Sequence, residues 1–336
     1  MKVVCIGAGW VTRSRHLPAL AADPRVEILG VIDRRAEQAA TAASKANLPH
    51  SGSSLDEGWA EAADAVTIGA PPPAHGGLLA DALGRGLHCL CEKPLALPAA
   101  AAAAAVAQAR AADLVLAVVH NFQFARSGSR LFELVENGRL GRIEAVHGFQ
   151  LSNPRRRLPT WHSDLRGGLF TDEAPHLLYL LRRLLGELEP RMVDARHAGG
   201  EIENLVATFA HPEIWATLSM GFRASVSEWQ LVVVGERGVA ALDVFRDVLI
   251  VLPNDGGHRA REILRTTAAM VGGHLGGVAS SGARLVSRRL AYGNDIVVER
   301  FVDAVEGRRD RLRHLEGEDG LAVVRCLEEL LDRAGV

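Results

Sequence analysis

The chain has 336 residues, enough for two domains with separate hydrophobic cores. Its 38 basic and 40 acidic residues nearly cancel, so no global field argues for nucleic acid or an acidic membrane as a partner. The four cysteines, Cys5, Cys89, Cys91 and Cys326, show neither CxxC spacing nor the density of a disulfide framework. With a strand-like start at Met1 in place of a basic-then-apolar leader, they point to a reducing, cytoplasmic setting.

An apolar, β-branched run over residues 2–6 breaks at Gly7-Ala8-Gly9 and continues as a helical segment over 11–22. Strand, glycine turn and helix start, in that order, suit a pyrophosphate. Gly7 permits the tight turn, Gly9 removes a side chain from the anion's path, and the N–H groups at Trp10 and Val11 face it. Thr12 stands where a third small residue is expected. Residues 26–32 read as a second buried strand that ends on Asp33, ~20 residues past the glycines, where a dinucleotide fold binds the adenosine ribose. A bare carboxylate repels a 2′-phosphate and favours NAD. Arg34 and Arg35 follow it and could pair with that phosphate, so NADP stays open. The plain alternative for Asp33 is a helix N-cap.

Strands over 64–69, 87–91 and 114–119 alternate with helices over 35–45, 74–85 and 97–111. That alternation predicts an α/β Rossmann domain over 1–122, a doubly wound parallel sheet with its ligand at the carboxyl ends of the strands. Ala70-Pro71-Pro72-Pro73 and Cys91-Glu92-Lys93-Pro94 fall at such ends. Past 123 the pattern becomes α+β. A helix over 126–137, a strand over 143–151 and a polar loop, Asn153-Pro154-Arg155-Arg156-Arg157, precede a helix over 172–185. Strands over 191–198, 202–210, 213–222, 228–235, 238–243 and 247–252 then follow with short turns, which predicts a large open, mostly antiparallel sheet. Helices over 258–269, 294–306 and 318–334 close the second domain, 123–336, and the C-terminal ones can pack back on the first.

Two apolar stretches bear on a membrane. The alanine run over 95–109 is short of the ~20 residues a spanning helix needs. Residues 266–283 lack formal charge, are too rich in Gly, Ser and Thr to span, and are flanked by Arg259, Arg261, Arg265 and by Arg284, Arg288, Arg289. A membrane is not the expected partner. The segment is read first as an interface or cleft cover, with a membrane-surface role as its alternative.

Four matches together make the chain resemble the Gfo/Idh/MocA family of sugar and cyclitol oxidoreductases over nearly its full length. They are Gly7-Ala8-Gly9 with His16 beyond it, Asp33, Glu92-Lys93-Pro94, and the run Gly167-Gly168-Leu169-Phe170-Thr171-Asp172-Glu173-Ala174-Pro175-His176. The resemblance implies an NAD(P)-dependent oxidoreductase in which Lys93, Asp172 and His176 meet beside the nicotinamide. It further implies that Glu92 contacts the nicotinamide ribose and that Ala70, Pro71 and Pro72 border the cofactor. His75 belongs to the same stretch and reads as structural. The open sheet resembles the surface on which family members form dimers or tetramers.

The residue types fit that chemistry independently. Hydride transfer at a carbinol needs a group to take and return the hydroxyl proton, and His176 qualifies. Asp172 lies one helical turn before it and can orient it. The glycine break and Pro175 place the pair at a helix start, whose positive end favours the neutral, basic imidazole. Lys93 can polarise a carbonyl or steady an alkoxide. On the substrate side stand Asn121, Arg126, Tyr179, Trp161 and the loop arginines Arg155 and Arg157, which would grip the phosphate of a nucleotide sugar or the carboxylate of a sugar acid. The alternative for that loop is a solvated or subunit-contact surface. His120 could reach substrate, and His16 reads as a packed histidine.

Tyr179 replaces a second aspartate common in the family, and Gln123 and Arg126 depart from its usual arginine and proline. No metal site is expected, for no ligand cluster has suitable spacing. The expected reaction is hydride exchange between nicotinamide and a secondary alcohol or ketone of a sugar, nucleotide sugar or cyclitol. A dinucleotide-binding sensor without turnover, or an NAD-assisted glycoside hydrolase, are the alternatives.

Overall fold

The computed structural model describes residues 1–156, 158–257, 259–287 and 292–336. It divides into two compact units, one of Met1–Asn121 with Asn294–Glu328, the other of Phe122–Gly293 with Glu329–Val336. Residues 294–328 thus group with the first unit, the segment for which the sequence left a return to the first domain open.

The first unit is built on six parallel strands: β1 (Lys2–Ile6), β2 (Glu27–Ile32), β3 (His50–Gly52), β4 (Ala65–Ile68), β5 (His88–Cys91) and β6 (Leu116–Val118). Their order, β3-β2-β1-β4-β5-β6, makes β1 and β4 the centre, where strand order reverses and a ligand crevice opens. The crossovers are α1 (Leu17–Ala22), α2 (Ala36–Lys45), α3 (His75–Gly84) and α4 (Ala99–Ala111). Val4, Ile6, Ile68, Leu79 and Cys89 sit in one buried cluster between sheet and helices, as strands buried on both faces require. β3 is a short edge strand with only Gly52 partly covered, too polar to show a hydrophobic signal in sequence. All four cysteines are buried thiols; burial pushes Cys5 up to about 11 and Cys89 up to about 12, so neither is a ready nucleophile.

The second unit opens with α5 (Arg126–Glu136) and β7 (Ile143–Leu151), continues through α6 (Leu169–Leu185), and then runs β8 (Pro190–Ala198), β9 (Glu201–Phe209), β10 (Trp215–Gly221), β11 (Glu228–Gly235), β12 (Gly238–Asp243) and β13 (Val248–Pro253). The sheet order is β13-β12-β11-β7-β10-β9-β8, antiparallel except that β10 pairs with β7 in parallel. The long helix α6 packs on β7, β9 and β10. Gly148 allows that approach: a Cβ there would press on Leu218, Leu181 and Leu177. α7 (Ala260–Val286) is far longer than the helix expected over 258–269, and it lies along β13. In the first unit α8 (Asn294–Val305) follows, and α9 (Gly317–Arg333) completes the chain.

Candidate active site

The glycine turn after β1 is shaped by backbone needs. Gly7 has φ +92°, and a Cβ there would meet the Ala70 nitrogen at 2.7 Å, so only glycine fits. Its N–H donates to the Ile32 carbonyl, and the Ala8 N–H donates to Asp33 Oδ2 at 2.8 Å. The Arg35 N–H donates to Asp33 Oδ1 at 2.9 Å, while Arg35 Nε stays 3.8 Å away. The residue capping α2 is Arg35, so Asp33 is not a plain N-cap; it ties the tip of β2 to the glycine turn. Beyond Gly9 a helical segment begins at Trp10, and the N–H groups of its first turn have no intrahelical acceptor. Those groups, the turn and the ionisable Asp33 fit a dinucleotide: donors for the pyrophosphate, an acceptor for ribose hydroxyls. Trp10 is exposed beneath the Arg15 guanidinium, 5.2 Å from its ring centre, and Val11 is partly covered. Arg34 is exposed beside Asp33.

Thr12, the departure from the glycine pattern, is buried and opens a π-helical turn, Thr12–His16. The closeness that a third glycine gives elsewhere is supplied from the facing residue, because a Cβ on Gly69 would collide with Thr12 Oγ1. Gly69→Ala is therefore expected to destabilise the protein by about 1–3 kcal/mol, the cost of overpacking. The double variant Thr12→Gly/Gly69→Ala should recover most of that loss in urea unfolding; equal losses in both variants would place the strain elsewhere.

The Glu92-Lys93-Pro94 turn is held from two sides. Glu92 is buried, accepts a hydrogen bond from His16 Nε2 at 3.0 Å, and accepts the Lys93 N–H at 3.2 Å. Burial works to raise the Glu92 pKa, but the His16 hydrogen bond and charge, with Lys93, outweigh it and hold the carboxyl below its usual range. His16 closes the π-helical turn and is buried there. His75 lies buried between the Pro94 carbonyl (2.8 Å from Nδ1) and the Ala70 carbonyl (2.9 Å from Nε2). Burial lowers its pKa, and a neutral imidazole donates to one carbonyl at a time. Through His75 the turn after β4, with Ala70, Pro71 and buried Pro72, is tied to the lysine turn after β5. Asn121 and His120 are buried at the end of the first unit's strand region.

In the second unit the glycines set where α6 begins. Gly167 and Gly168 have φ +75° and +63°, and the helix starts at Leu169, three residues before the expected position. Asp172 consequently lies in the first turn and His176 in the second. The favourable helix-end field falls off within one turn, so it acts on Asp172 and not, as expected from the sequence, on His176. His176 is oriented by aromatic neighbours instead. Its ring lies 4.9 Å from Phe122 and 5.1 Å from Trp229, and Nδ1 is 3.2 Å from Tyr179 Oη. Tyr179 is buried, and its hydroxyl also accepts the Phe122 N–H at 3.1 Å.

Behind Asp172 lies a cluster that the sequence did not single out. Glu173 is buried and bonded to Gln150, to Ser152 Oγ at 2.8 Å and to Arg156. Burial holds the Arg156 guanidinium below its ordinary pKa, against an attraction from Asp172. Of the loop arginines, Arg156 is thus turned inward. Arg155 is exposed, with its N–H on Asn153 Oδ1, and Arg157 lies outside the described residues. Trp161 is partly covered, just ahead of a 3-10 turn at His162–Asp164. Arg126, expected on the substrate side, has its guanidinium on the Asp247 carbonyl (2.8 Å), Ser281 Oγ (3.3 Å) and the Asp247 carboxylate.

Residues 1–120 match the family model described as an oxidoreductase family with an NAD-binding Rossmann fold, and residues 129–241 match the GFO/IDH/MocA C-terminal domain. The chain is 32% identical over 204 residues to the dTDP-3,4-didehydro-2,6-dideoxy-alpha-D-glucose 3-reductase of Streptomyces violaceoruber, covering 59% of this chain and 58% of that enzyme. Matches to the next two curated relatives cover 33% and 54% of their lengths. Among solved structures, UDP-N-acetylglucosamine 3-dehydrogenase from Acidithiobacillus ferrooxidans superposes with a TM-score of 0.75 at 21% identity, over 99% of this chain and 97% of that one. The WlbA dehydrogenase of Bordetella pertussis, solved with NADH and UDP-GlcNAcA, superposes with a TM-score of 0.80 at 18% identity, over 100% of this chain and 96% of that one.

Proposed function

Because the chain belongs to the Gfo/Idh/MocA family, we propose that it exchanges a hydride between a nicotinamide dinucleotide and a secondary alcohol or ketone of a sugar, nucleotide sugar or cyclitol. The observation that carries this reading is His176 fixed on α6, one turn after Asp172, with Nδ1 against Tyr179 Oη. When Nδ1–H donates to Tyr179, the lone pair of the imidazole lies on Nε2, which takes the hydroxyl proton in the oxidative direction and returns it in the reductive one. Lys93 steadies the oxyanion that develops as that proton leaves. Asp172, next to Arg156, adds negative charge that favours the imidazolium formed by proton uptake. The nicotinamide supplies the hydride acceptor or donor. Gly7, Gly9, Trp10, Val11 and Asp33 serve its dinucleotide, with Ala70, Pro71, Pro72 and Glu92 toward the nicotinamide end and His75 holding their turns together. Sugar-acting relatives support the substrate class, as does Arg155 on the exposed loop for a charged sugar. A cytoplasmic homodimer or homotetramer is the proposed working form.

The test is separate titration with NADH and NADPH by fluorescence, followed by absorbance assays on nucleotide sugars, free sugars and inositols. NADH preference with turnover on one substrate class supports the reading. Tight binding without turnover across the panel points to a sensor, retained cofactor without net reduction points to NAD-assisted hydrolysis, and no dinucleotide binding removes the proposal. Asp33→Asn loses the charge and can accept from only one of the Ala8 and Arg35 N–H groups. It should narrow the NADH-over-NADPH preference by roughly tenfold, the size of one removed repulsive element.

A further inference from the structure

His16 is buried, and its Nε2 lies 3.0 Å from Glu92 Oε1. Nδ1 is buried too, with no hydrogen-bond partner among the described residues. A histidine placed only to fill space would leave both ring nitrogens unanswered, a cost that an apolar side chain avoids. The polar role of this imidazole is therefore directed at one carboxylate. An ionised carboxylate only accepts, so Nε2 carries the proton of the bond.

Glu92 is held at both oxygens. Oε1 takes the His16 bond and Oε2 takes the Lys93 N–H at 3.2 Å, which fixes the plane of the carboxylate. Its side chain is still 12% exposed and each oxygen has a second lone pair, so an edge is left to accept hydroxyl groups from outside. Among the described residues, the titratable groups facing it are His16 from the turn after Gly9, Lys93 next in the chain, His75 from α3 and Cys91 from β5. Burial lowers the pKa of His75 and raises that of Cys91, so neither is charged at neutral pH. Burial also works to raise that of Glu92, and the His16 hydrogen bond is the largest effect opposing it. We propose that His16 is a positioning residue: by donating to Glu92 it keeps that carboxylate an anion in one orientation, able to accept the ribose hydroxyls at the nicotinamide end of the dinucleotide. The proposal rests on the dinucleotide reading above, and His16 acts in it through Glu92, not on the cofactor itself.

The experiment is NADH titration of the full chain by fluorescence, from about pH 5 to about pH 8. The proteins are wild type, His16→Leu, His16→Gln, Glu92→Gln and the double variant His16→Leu/Glu92→Gln. Leucine keeps bulk at the buried site but cannot donate, whereas the glutamine amide can; Glu92→Gln stands in for the protonated carboxyl. Relative to wild type, His16→Leu should bind NADH nearly as well at the alkaline end. At the acid end it should bind roughly tenfold more weakly, as a charge-assisted bond gives way to a neutral one. His16→Gln should follow wild type throughout, and the double variant should bind no worse than Glu92→Gln, since both changes act on one interaction. His16→Asn, too short to reach Glu92, repeats the test should the leucine variant fail to fold. A ratio of His16→Leu to wild type that is constant across the pH range, or additive losses in the double variant, would leave His16 a structural residue and overturn the proposal. No NADH binding by the wild type at any pH would instead remove the dinucleotide reading, and this proposal with it.

Discussion

Alanine at His176 or at Lys93 is expected to lower kcat by about 10²–10⁴-fold, the span of a lost general base or oxyanion partner, while the Kd for NADH changes by less than about threefold. The two variants should differ in their pH response. His176→Ala removes the proton acceptor itself, so the acid limb of the kcat/KM profile should flatten; Lys93→Ala should keep that limb and lower the whole curve. Tyr179 makes the assignment sharper. Its hydroxyl lies 3.2 Å from Nδ1 and takes the Phe122 N–H, so Tyr179→Phe releases the imidazole's orientation without touching Nε2. An intermediate loss of about tenfold is expected for it, less than for His176→Ala. If all three variants keep wild-type kcat on a confirmed substrate, the proton relay lies elsewhere. If His176→Ala or Tyr179→Phe loses NADH binding as well, those residues are holding the fold.

What could be read from the sequence was what depends on nearest neighbours along the chain. The strand-glycine-helix order at Gly7, the acid at the tip of β2 and the lysine turn after β5 each announce themselves within a few residues, and the parallel order of the first sheet follows from their alternation. The short β3 escaped because His50, Ser51 and Gly52 carry no apolar period. The early start of α6 was hidden because Gly167 and Gly168 read as a break, whereas their positive φ values place them just before the first turn. α7 was cut short for a related reason. Glycines at 272, 273, 276 and 277 lower helix propensity, yet Gly273 and Gly277 are where the helix comes closest to β13. The contact of Arg126 with Asp247 was not legible because Asp247 comes from the turn before β13, far away in sequence. Phe122 and Trp229 were missed around His176 for the same reason: they arrive from separate elements.

The largest structural effect is expected at Glu173. This buried carboxylate is the common partner of Gln150, Ser152 and Arg156, and it anchors the second turn of α6 to the end of β7. Glu173→Ala leaves a half-buried guanidinium without its directly bonded carboxylate and Ser152 Oγ without its acceptor, while Gln150 keeps only Ser152 Oγ, at a cost of about 3–5 kcal/mol. Glu173→Gln keeps the shape and one acceptor oxygen, so its loss should be nearer 1–2 kcal/mol. Glu173→Leu/Arg156→Met removes both charges together and should regain the part of the loss that comes from the unpaired guanidinium, while Ser152 Oγ still lacks its acceptor. Urea unfolding of the three proteins gives the comparison, and a loss under about 1 kcal/mol for Glu173→Ala would mean that water, not Arg156, completes the carboxylate's shell. Turnover adds a second test. The double variant restores packing but removes the positive charge that acts on Asp172. It should therefore fold well and still turn over more slowly than wild type, separating the cluster's part in building α6 from its part in setting the charge beside His176.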